Sequence, residues 1–226
     1  MSFSAIIFDH DGTLVDSEGI HYNIWRELLS TDFGIKFSKQ EYLNHHCGVP
    51  TLQNAETIVQ QYALDLNAQQ LYQRNTQAMH AWLSENSFPL FATAKPALDQ
   101  CRNAGLKIGL ATGASDTEAN ATLKGHKLAE YFTAVTTKDD VEHTKPAPET
   151  YLLTAHKLGV EPQVCIAIED SSTGIASAKA AGMVCIAVSN DYSISQDVSL
   201  ADHQVDDLQQ AVNLVLTQYC NIQANL

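Results

Sequence analysis

Asp9 and Asp11 stand two residues apart, directly after the apolar run Ser4-Ala5-Ile6-Ile7-Phe8, in the string Asp9-His10-Asp11-Gly12-Thr13-Leu14-Val15-Asp16-Ser17. Two carboxylates this close need a cation or a shared proton between them. Gly12 lets the backbone turn sharply and come close to a ligand. A second acidic pair, Glu169-Asp170, ends the apolar run Val164-Cys165-Ile166-Ala167-Ile168. Adjacent acids at a strand end point to opposite faces, so the following loop must bend for both to reach one ion. Thr112 closes a third apolar run and is followed by Gly113-Ala114-Ser115. A helix capped by Ser115 would offer free N–H groups and a positive dipole end to an anion. Lys145 precedes Pro146-Ala147-Pro148, which holds its backbone extended and its ammonium in a fixed place. Each segment alone has a plainer reading: a Gly-containing acidic turn, a strand–helix turn, or an exposed lysine in a Pro-rich loop. Their common place at strand ends is what one shared site requires.

The elements that must position these groups alternate. Strand-like runs cover residues 4–8, 107–112, 133–136, 164–169 and 184–189, with a weaker one at 202–205. Helical patterns at 94–104, 148–158 and 172–181 end at Gly105, Gly159 and Gly182. Strand and helix in alternation imply βαβ units and a parallel sheet, whose carboxyl edge is the usual ligand-binding edge. Residues 16–88 break the rhythm and read as consecutive helices at 18–29, 39–46, 51–62 and 67–85. The expected organisation is a core of 1–15 with 89–226, and an inserted helical domain of 16–88.

The chain has 226 residues and a formal net charge of −13, which disfavours nucleic acid or an anionic membrane as partner. A local cation still permits an anionic substrate. The five cysteines (Cys47, Cys101, Cys165, Cys185, Cys220) show no CxxC pairing and read as thiols of a reducing compartment. With no basic-then-apolar leader and no apolar run of membrane-spanning length, the expectation is a cytoplasmic protein.

Asp9-His10-Asp11-Gly12-Thr13-Leu14-Val15-Asp16-Ser17 closely resembles the DxDGTLxDS signature of the haloacid dehalogenase-like superfamily. Lys145-Pro146-Ala147-Pro148 resembles its KPxP segment, and Glu169-Asp170-Ser171-Ser172-Thr173-Gly174 its EDSxxG metal motif. The order and spacing of the segments, with the helical insert, resemble the phosphoglucomutase/phosphatase-like branch. The resemblance implies an α/β fold: a Rossmann-like three-layer core with a parallel sheet, and a small α-helical cap inserted after the first strand. It further implies a Mg²⁺-dependent phosphatase or phosphomutase. Asp9 would then be the nucleophile that forms an aspartyl-phosphate, and Asp11 the general acid and base. Mg²⁺ would be held by Asp9, the backbone carbonyl of Asp11, Asp170, and Glu169 directly or through water. Thr112, with Gly113 and Ala114 amides nearby, and Lys145 would hold the phosphoryl group. His10 departs from the pattern, which usually has an apolar residue there. Continued strand alternation predicts that its side chain turns away from both aspartates. Ala92-Thr93-Ala94 also stands where a Pro-Gly is often seen.

In the cap, His21 matches a position where many members of this branch carry histidine, and Trp25 shares its helix face. The alternative is that Trp25 is core and His21 covers it. The only Lys and Arg residues of 16–88 are Arg26, Lys36, Lys39 and Arg74. Residues 48–52 lack the arginine that β-phosphoglucomutases use on a second phosphate, and the lysine of phosphonoacetaldehyde hydrolases. The presence of Asp11 argues against a true dehalogenase. The expected function is hydrolysis of a small phosphorylated metabolite, a sugar phosphate being one class. A β-phosphoglucomutase-like isomerase and a non-catalytic binding protein on the same scaffold are the alternatives, and the oligomeric state is open.

Overall fold

The apolar runs pair into one parallel sheet in the computed structural model, which describes residues 3–190, 192 and 196–219. Its strands are β1 (Ala5–Phe8), β2 (Lys107–Ala111), β3 (Ala134–Thr136), β4 (Cys165–Glu169), β5 (Val184–Val188) and β6 (His203–Val205), in the order β3-β2-β1-β4-β5-β6. Every strand pair is parallel, as expected where helices make the crossovers. β1 is central: Phe8 stands opposite Leu110 on one side and Ile168 on the other. That register brings Asp9, Thr112 and the Glu169-Asp170 pair to one edge of three adjacent strands. The strand order reverses direction at β1, the crevice where such sheets bind ligands.

The chain divides into two compact units, Met1–Asp16 with Ser87–Leu226, and Ser17–Asn86. In the first, α5 (Ala94–Asn103) and α9 (Leu208–Leu214) pack together and on the sheet, as do α7 (Glu149–Leu158) and α8 (Ser172–Ala180). Side-chain parity sorts the layers. Ala5, Ile7, Cys165, Ala167, Cys185 and Ala187 share one apolar cluster with Tyr151, Ala155, Leu158, Ile175 and Ala178 of α7 and α8. The alternate residues Ile6, Phe8, Ile166, Ile168 and Ile186 are buried as well, so the strands are covered on both faces. α6 (Asp116–Gly125) opens on a capping box: Ser115 accepts from Glu118 N, and the Glu118 carboxylate accepts from Ser115 N. α9 and the π-helical turn Val215–Tyr219 are elements that the sequence reading did not include.

The second unit holds α1 (Glu18–Phe33), α2 (Lys39–His45), α3 (Thr51–Gln61) and α4 (Ala68–Leu83), with no strand among its residues. Its core gathers Trp25, Leu29, Phe37, Tyr42, Ala55, Ile58 and Leu71. Trp25 is therefore a core residue of this unit. Glu18 ties the unit's start to its middle, accepting from the Tyr42 hydroxyl and from Gly48 N at 3.1 Å. Cys101, Cys165 and Cys185 are buried and Cys47 is half-buried, all as free thiols; Cys220 lies outside the described residues. Among the described residues no helix is long and apolar enough to cross a membrane.

Candidate active site

Asp9 follows β1, with its N–H bonded to Ile168 O at 2.9 Å. It continues the parity of Ala5 and Ile7, toward the α7 and α8 side, and Glu169 continues that of Cys165 and Ala167. Lys145 meets both there. Its Nζ lies 2.6 Å from Asp9 Oδ1, 2.6 Å from Glu169 Oε1 and 3.0 Å from Ala111 O. An ammonium has three protons, and each has an acceptor. The ammonium also sits 4.8 Å from the centre of the Tyr151 ring.

Glu169 is fully buried. Oε1 accepts from Lys145 and from the Tyr151 hydroxyl (3.0 Å); Oε2 accepts from Asp170 N (3.1 Å), Ser171 N (3.2 Å) and Ser171 Oγ (3.0 Å). Gly174 lies against this carboxylate: a Cβ there would stand 1.8 Å from Glu169 Oε1, so no larger residue fits. Asp170 faces the loop after β1. It accepts from Asn190 Nδ2 at 2.8 Å and, more weakly, from Thr13 Oγ1 at 3.4 Å. Asn190 Nδ2 also donates to Gly12 O at 2.8 Å, so one amide holds the loop and the acid together. Gly12 has φ +77°, and a Cβ on it would lie 2.1 Å from Asp170 Oδ2.

Asp9, Glu169 and Asp170 bring carboxylate oxygens within 4.8 Å of one another, all three residues buried. Burial and the Glu169 charge push Asp9 up to about 7, against the pull of Lys145. Asp170 is held well above the usual carboxylate range by burial, Glu169 and Asp9. On Lys145 burial opposes the charge, but Asp9 and Glu169 outweigh it and raise its pKa. Lys145 alone does not keep Asp9 low. The cluster is short of positive charge, and its all-oxygen donor set fits a hard divalent cation.

Thr112 is buried at the end of β2, and its Oγ1 accepts from Ala114 N at 2.9 Å. The Ala114 amide is thus used within the turn rather than offered to a phosphoryl group, which corrects that expectation. Gly113 is exposed, with open space where a Cβ would stand. His21 lies in the first turn of α1, half-buried, in the other unit.

His10 does not turn away from Asp11. The strand ends at Phe8, and Gly12 N–Val15 O (2.9 Å) closes a turn that ends the alternation. The fully buried ring places Nδ1 3.1 Å from Asp11 Oδ2 and Nε2 2.9 Å from Thr122 Oγ1 of α6. Burial works against a charge on this ring, but Asp11 outweighs it and lifts its pKa. Tyr151 and Asn190 also escaped the motif reading. Asn190 was discoverable, since it stands two residues past a strand of the same sheet edge.

Residues 6–188 match the sequence pattern of the haloacid dehalogenase-like hydrolases, and the chain belongs to that family. It is 35% identical over 188 residues to the fructose-1-phosphate phosphatase YqaB of Escherichia coli K12, covering 82% of this chain and 96% of the relative. It is 28% identical to a phosphorylated carbohydrates phosphatase of Thermotoga maritima, over 79% of this chain and 82% of that one. Among solved structures, CbbY from Rhodobacter sphaeroides in complex with phosphate aligns with a TM-score of 0.73 at 26% identity, covering 91% of this chain and 95% of that one. A mutant of the same protein has also been solved in complex with xylulose-1,5-bisphosphate. The family and its phosphatase members make this chain a phosphoric monoester hydrolase.

Proposed function

We propose that the enzyme hydrolyses a small sugar phosphate through an aspartyl-phosphate on Asp9, with Mg²⁺ as cofactor. The observation that carries this reading is the Asp9–Lys145–Glu169 chain beside Asp170, at the carboxyl edge of β1 and β4. The similarity to a fructose-1-phosphate phosphatase supports the sugar phosphate class.

Asp9 attacks phosphorus, and the bond to the leaving alkoxide oxygen breaks as Asp11 protonates that oxygen. Asp11 then takes a proton from water, which attacks the aspartyl-phosphate. Inorganic phosphate leaves, Asp9 is restored and Asp11 is protonated again. Lys145 and the Thr112 hydroxyl stabilise the transferring phosphoryl group, and the Gly113 backbone leaves room for it. Asp9, Asp170 and the Asp11 carbonyl would hold the Mg²⁺. Glu169 lies within reach of the same ion, although its oxygens already accept five protein hydrogen bonds. When bound, the ion neutralises the crowded acids and the phosphoryl oxygens. Residues 17–86 would act as the cap that selects the leaving group, with His21 as a contact.

A phosphate-release screen over phosphorylated metabolites tests the reading. The expected result is turnover of sugar monophosphates, lost with EDTA, restored by Mg²⁺ and absent in Asp9→Asn. Full activity in metal-free buffer, near-native rates in Asp9→Asn, or isomer formed faster than phosphate would overturn it.

A further inference from the structure

We infer that Tyr151 is a positioning residue for Lys145: it keeps the ammonium in place once Asp9 has become an ester, so its main effect falls on hydrolysis of the aspartyl-phosphate. This deepens the proposed reaction and rests on that intermediate. A lysine stem is flexible and its ammonium is a point charge, so partners must fix its position. In the resting site these are Asp9 Oδ1 at 2.6 Å, Glu169 Oε1 at 2.6 Å and Ala111 O at 3.0 Å, with the Tyr151 ring centre 4.8 Å away. The Tyr151 hydroxyl pairs with the same Glu169 oxygen at 3.0 Å. An ionised carboxylate only accepts, so the hydroxyl is the donor. Tyr151 is wholly buried, in the apolar cluster that holds Ala155, Leu158, Ile175 and Ala178. It stands on α7, which opens directly after Lys145-Pro146-Ala147-Pro148. Ser177 Oγ holds that segment in turn, donating to Ala147 O at 2.6 Å. Ring and lysine are thus carried by one fixed stretch of chain.

Asp9 is the partner that the reaction itself changes. When it attacks phosphorus its carboxylate becomes an acyl phosphate and loses its negative charge, so its hold on Lys145 weakens. Glu169, Ala111 O and Tyr151 keep their chemistry. Glu169 then carries the full negative charge among these partners, and draws the ammonium toward itself and away from the phosphoryl oxygens. Tyr151 opposes this in two ways. Its hydroxyl occupies Glu169 Oε1 and shares the charge that Lys145 would otherwise take whole. Its ring attracts the ammonium through the π system, a contact that does not depend on Asp9. Lys145 therefore stays beside the phosphoryl group while water attacks phosphorus. In that step the bond from phosphorus to the Asp9 oxygen breaks, the water proton passes to Asp11, and the restored carboxylate recovers its ammonium. Transfer to Asp9 starts with every partner in place and needs Tyr151 less. A residue that only filled the core would slow both steps alike.

The test resolves the two steps in wild type, Tyr151→Phe and Tyr151→Leu, saturated with Mg²⁺ and turning over para-nitrophenyl phosphate. Steady-state turnover, together with the fraction of enzyme trapped as phosphoenzyme by acid quench and intact mass, gives both rate constants. Thermal unfolding is followed alongside. Tyr151→Phe keeps the ring and loses the hydroxyl: hydrolysis is expected to slow about tenfold, and transfer by less than about threefold. Tyr151→Leu loses both contacts, and its hydrolysis should slow about a hundredfold. In both variants the trapped phosphoenzyme should rise above wild type, and kcat should fall more than kcat/KM, which reports transfer alone. Equal losses in the two steps, or none, overturn the inference. If Tyr151→Leu does not fold, Tyr151→Phe decides on its own. Asp9→Asn separates this role from the reaction beneath it. A trapped phosphate that Asp9→Asn retains, or none in wild type or either Tyr151 variant, removes the aspartyl-phosphate itself. A trapped phosphate that Asp9→Asn abolishes but the Tyr151 variants do not raise removes only the positioning role.

Discussion

Three buried carboxylates share one lysine in this site, and that imbalance governs what single substitutions do. Asp170 is the most separable of the three, since its listeners are Asn190 and Thr13 rather than Lys145. Asp170→Asn removes one crowded charge, so the metal-free protein is expected to unfold at the same temperature as wild type or higher. Added Mg²⁺ is expected to raise the unfolding temperature of wild type through preferential binding to the folded state, and the variant should lose that rise. Asn190→Ala leaves the acids in place but frees the Asp170 carboxylate and the Gly12 carbonyl. Its Mg²⁺ affinity, measured by calorimetric titration, should fall about tenfold to a hundredfold, as for other partners that orient a ligand. Unchanged affinity in both variants would remove Asp170 from the cation site. Glu169 is a different case: its five hydrogen bonds make it the anchor of Lys145, so its replacement should disturb folding and chemistry together.

At the scale of elements, the sheet was legible because β1 to β5 are short apolar runs ended by a polar or glycine signal; β6 (His-Gln-Val) gave only a weak signal, and all the observed strands agree with the expected ones to within a residue at either end. The first helix of the second unit runs to Phe33 rather than residue 29, because no breaker precedes Gly34, whose φ of +67° closes it. α9 went unread because its periodicity is short and weak, and tertiary packing against α5 and β5 stabilises it more than local propensity. Contacts that span loops were also beyond reach. Asp202 is one: it accepts from Lys179 Nζ at 2.6 Å and from Cys185 N at 2.8 Å, joining α8 to β5. Partial burial raises its pKa, but Lys179 and the Cys185 amide outweigh this and leave it below the ordinary aspartate value. A depressed pKa contributes stability that is present above the unfolded-state value and lost as pH falls through the folded one. Asp202→Asn should therefore cost about 1 kcal/mol at pH 7, a modest figure because the pair is partly exposed. In chemical denaturation the gap to wild type should close below about pH 4, where an unfolded aspartate protonates. A gap that stayed constant to pH 2 would assign the effect to packing rather than charge.

For the whole molecule, the motifs identified the reaction class because acids, hydroxyl and lysine carry their chemistry wherever the strands end, whereas the helical segment to which the proposed reading assigns substrate choice has no comparable motif. Its cations are the clearest guide. Of the cations Arg26, Lys36, Lys39 and Arg74, both arginines are engaged within their own unit. Arg74 pairs with Asp32 at 2.7 Å and lies 5.8 Å from the Phe33 ring, and the Arg26 guanidinium lies 5.6 Å from the Tyr22 ring. Residues 48–52 contribute no cation, and Gly48 N is already bonded to Glu18. A second phosphate would bring up to two more negative charges, which need a partner wherever water is excluded. The chain's net charge of −13 makes an unpartnered anion costlier still. The xylulose-1,5-bisphosphate complex of CbbY shows that a related protein accommodates two phosphates. The prediction for this chain is the opposite preference. Turnover of a ketose 1-phosphate should exceed that of the matching bisphosphate in kcat/KM, chiefly through KM, because the second phosphate weakens binding without touching the reacting centre. Steady-state phosphate release on the two esters, with isomer formation followed in the same samples, reads this directly. A bisphosphate preference would overturn this, and Arg26→Gln, Lys36→Gln, Lys39→Gln and Arg74→Gln would then show which cation serves the second phosphate.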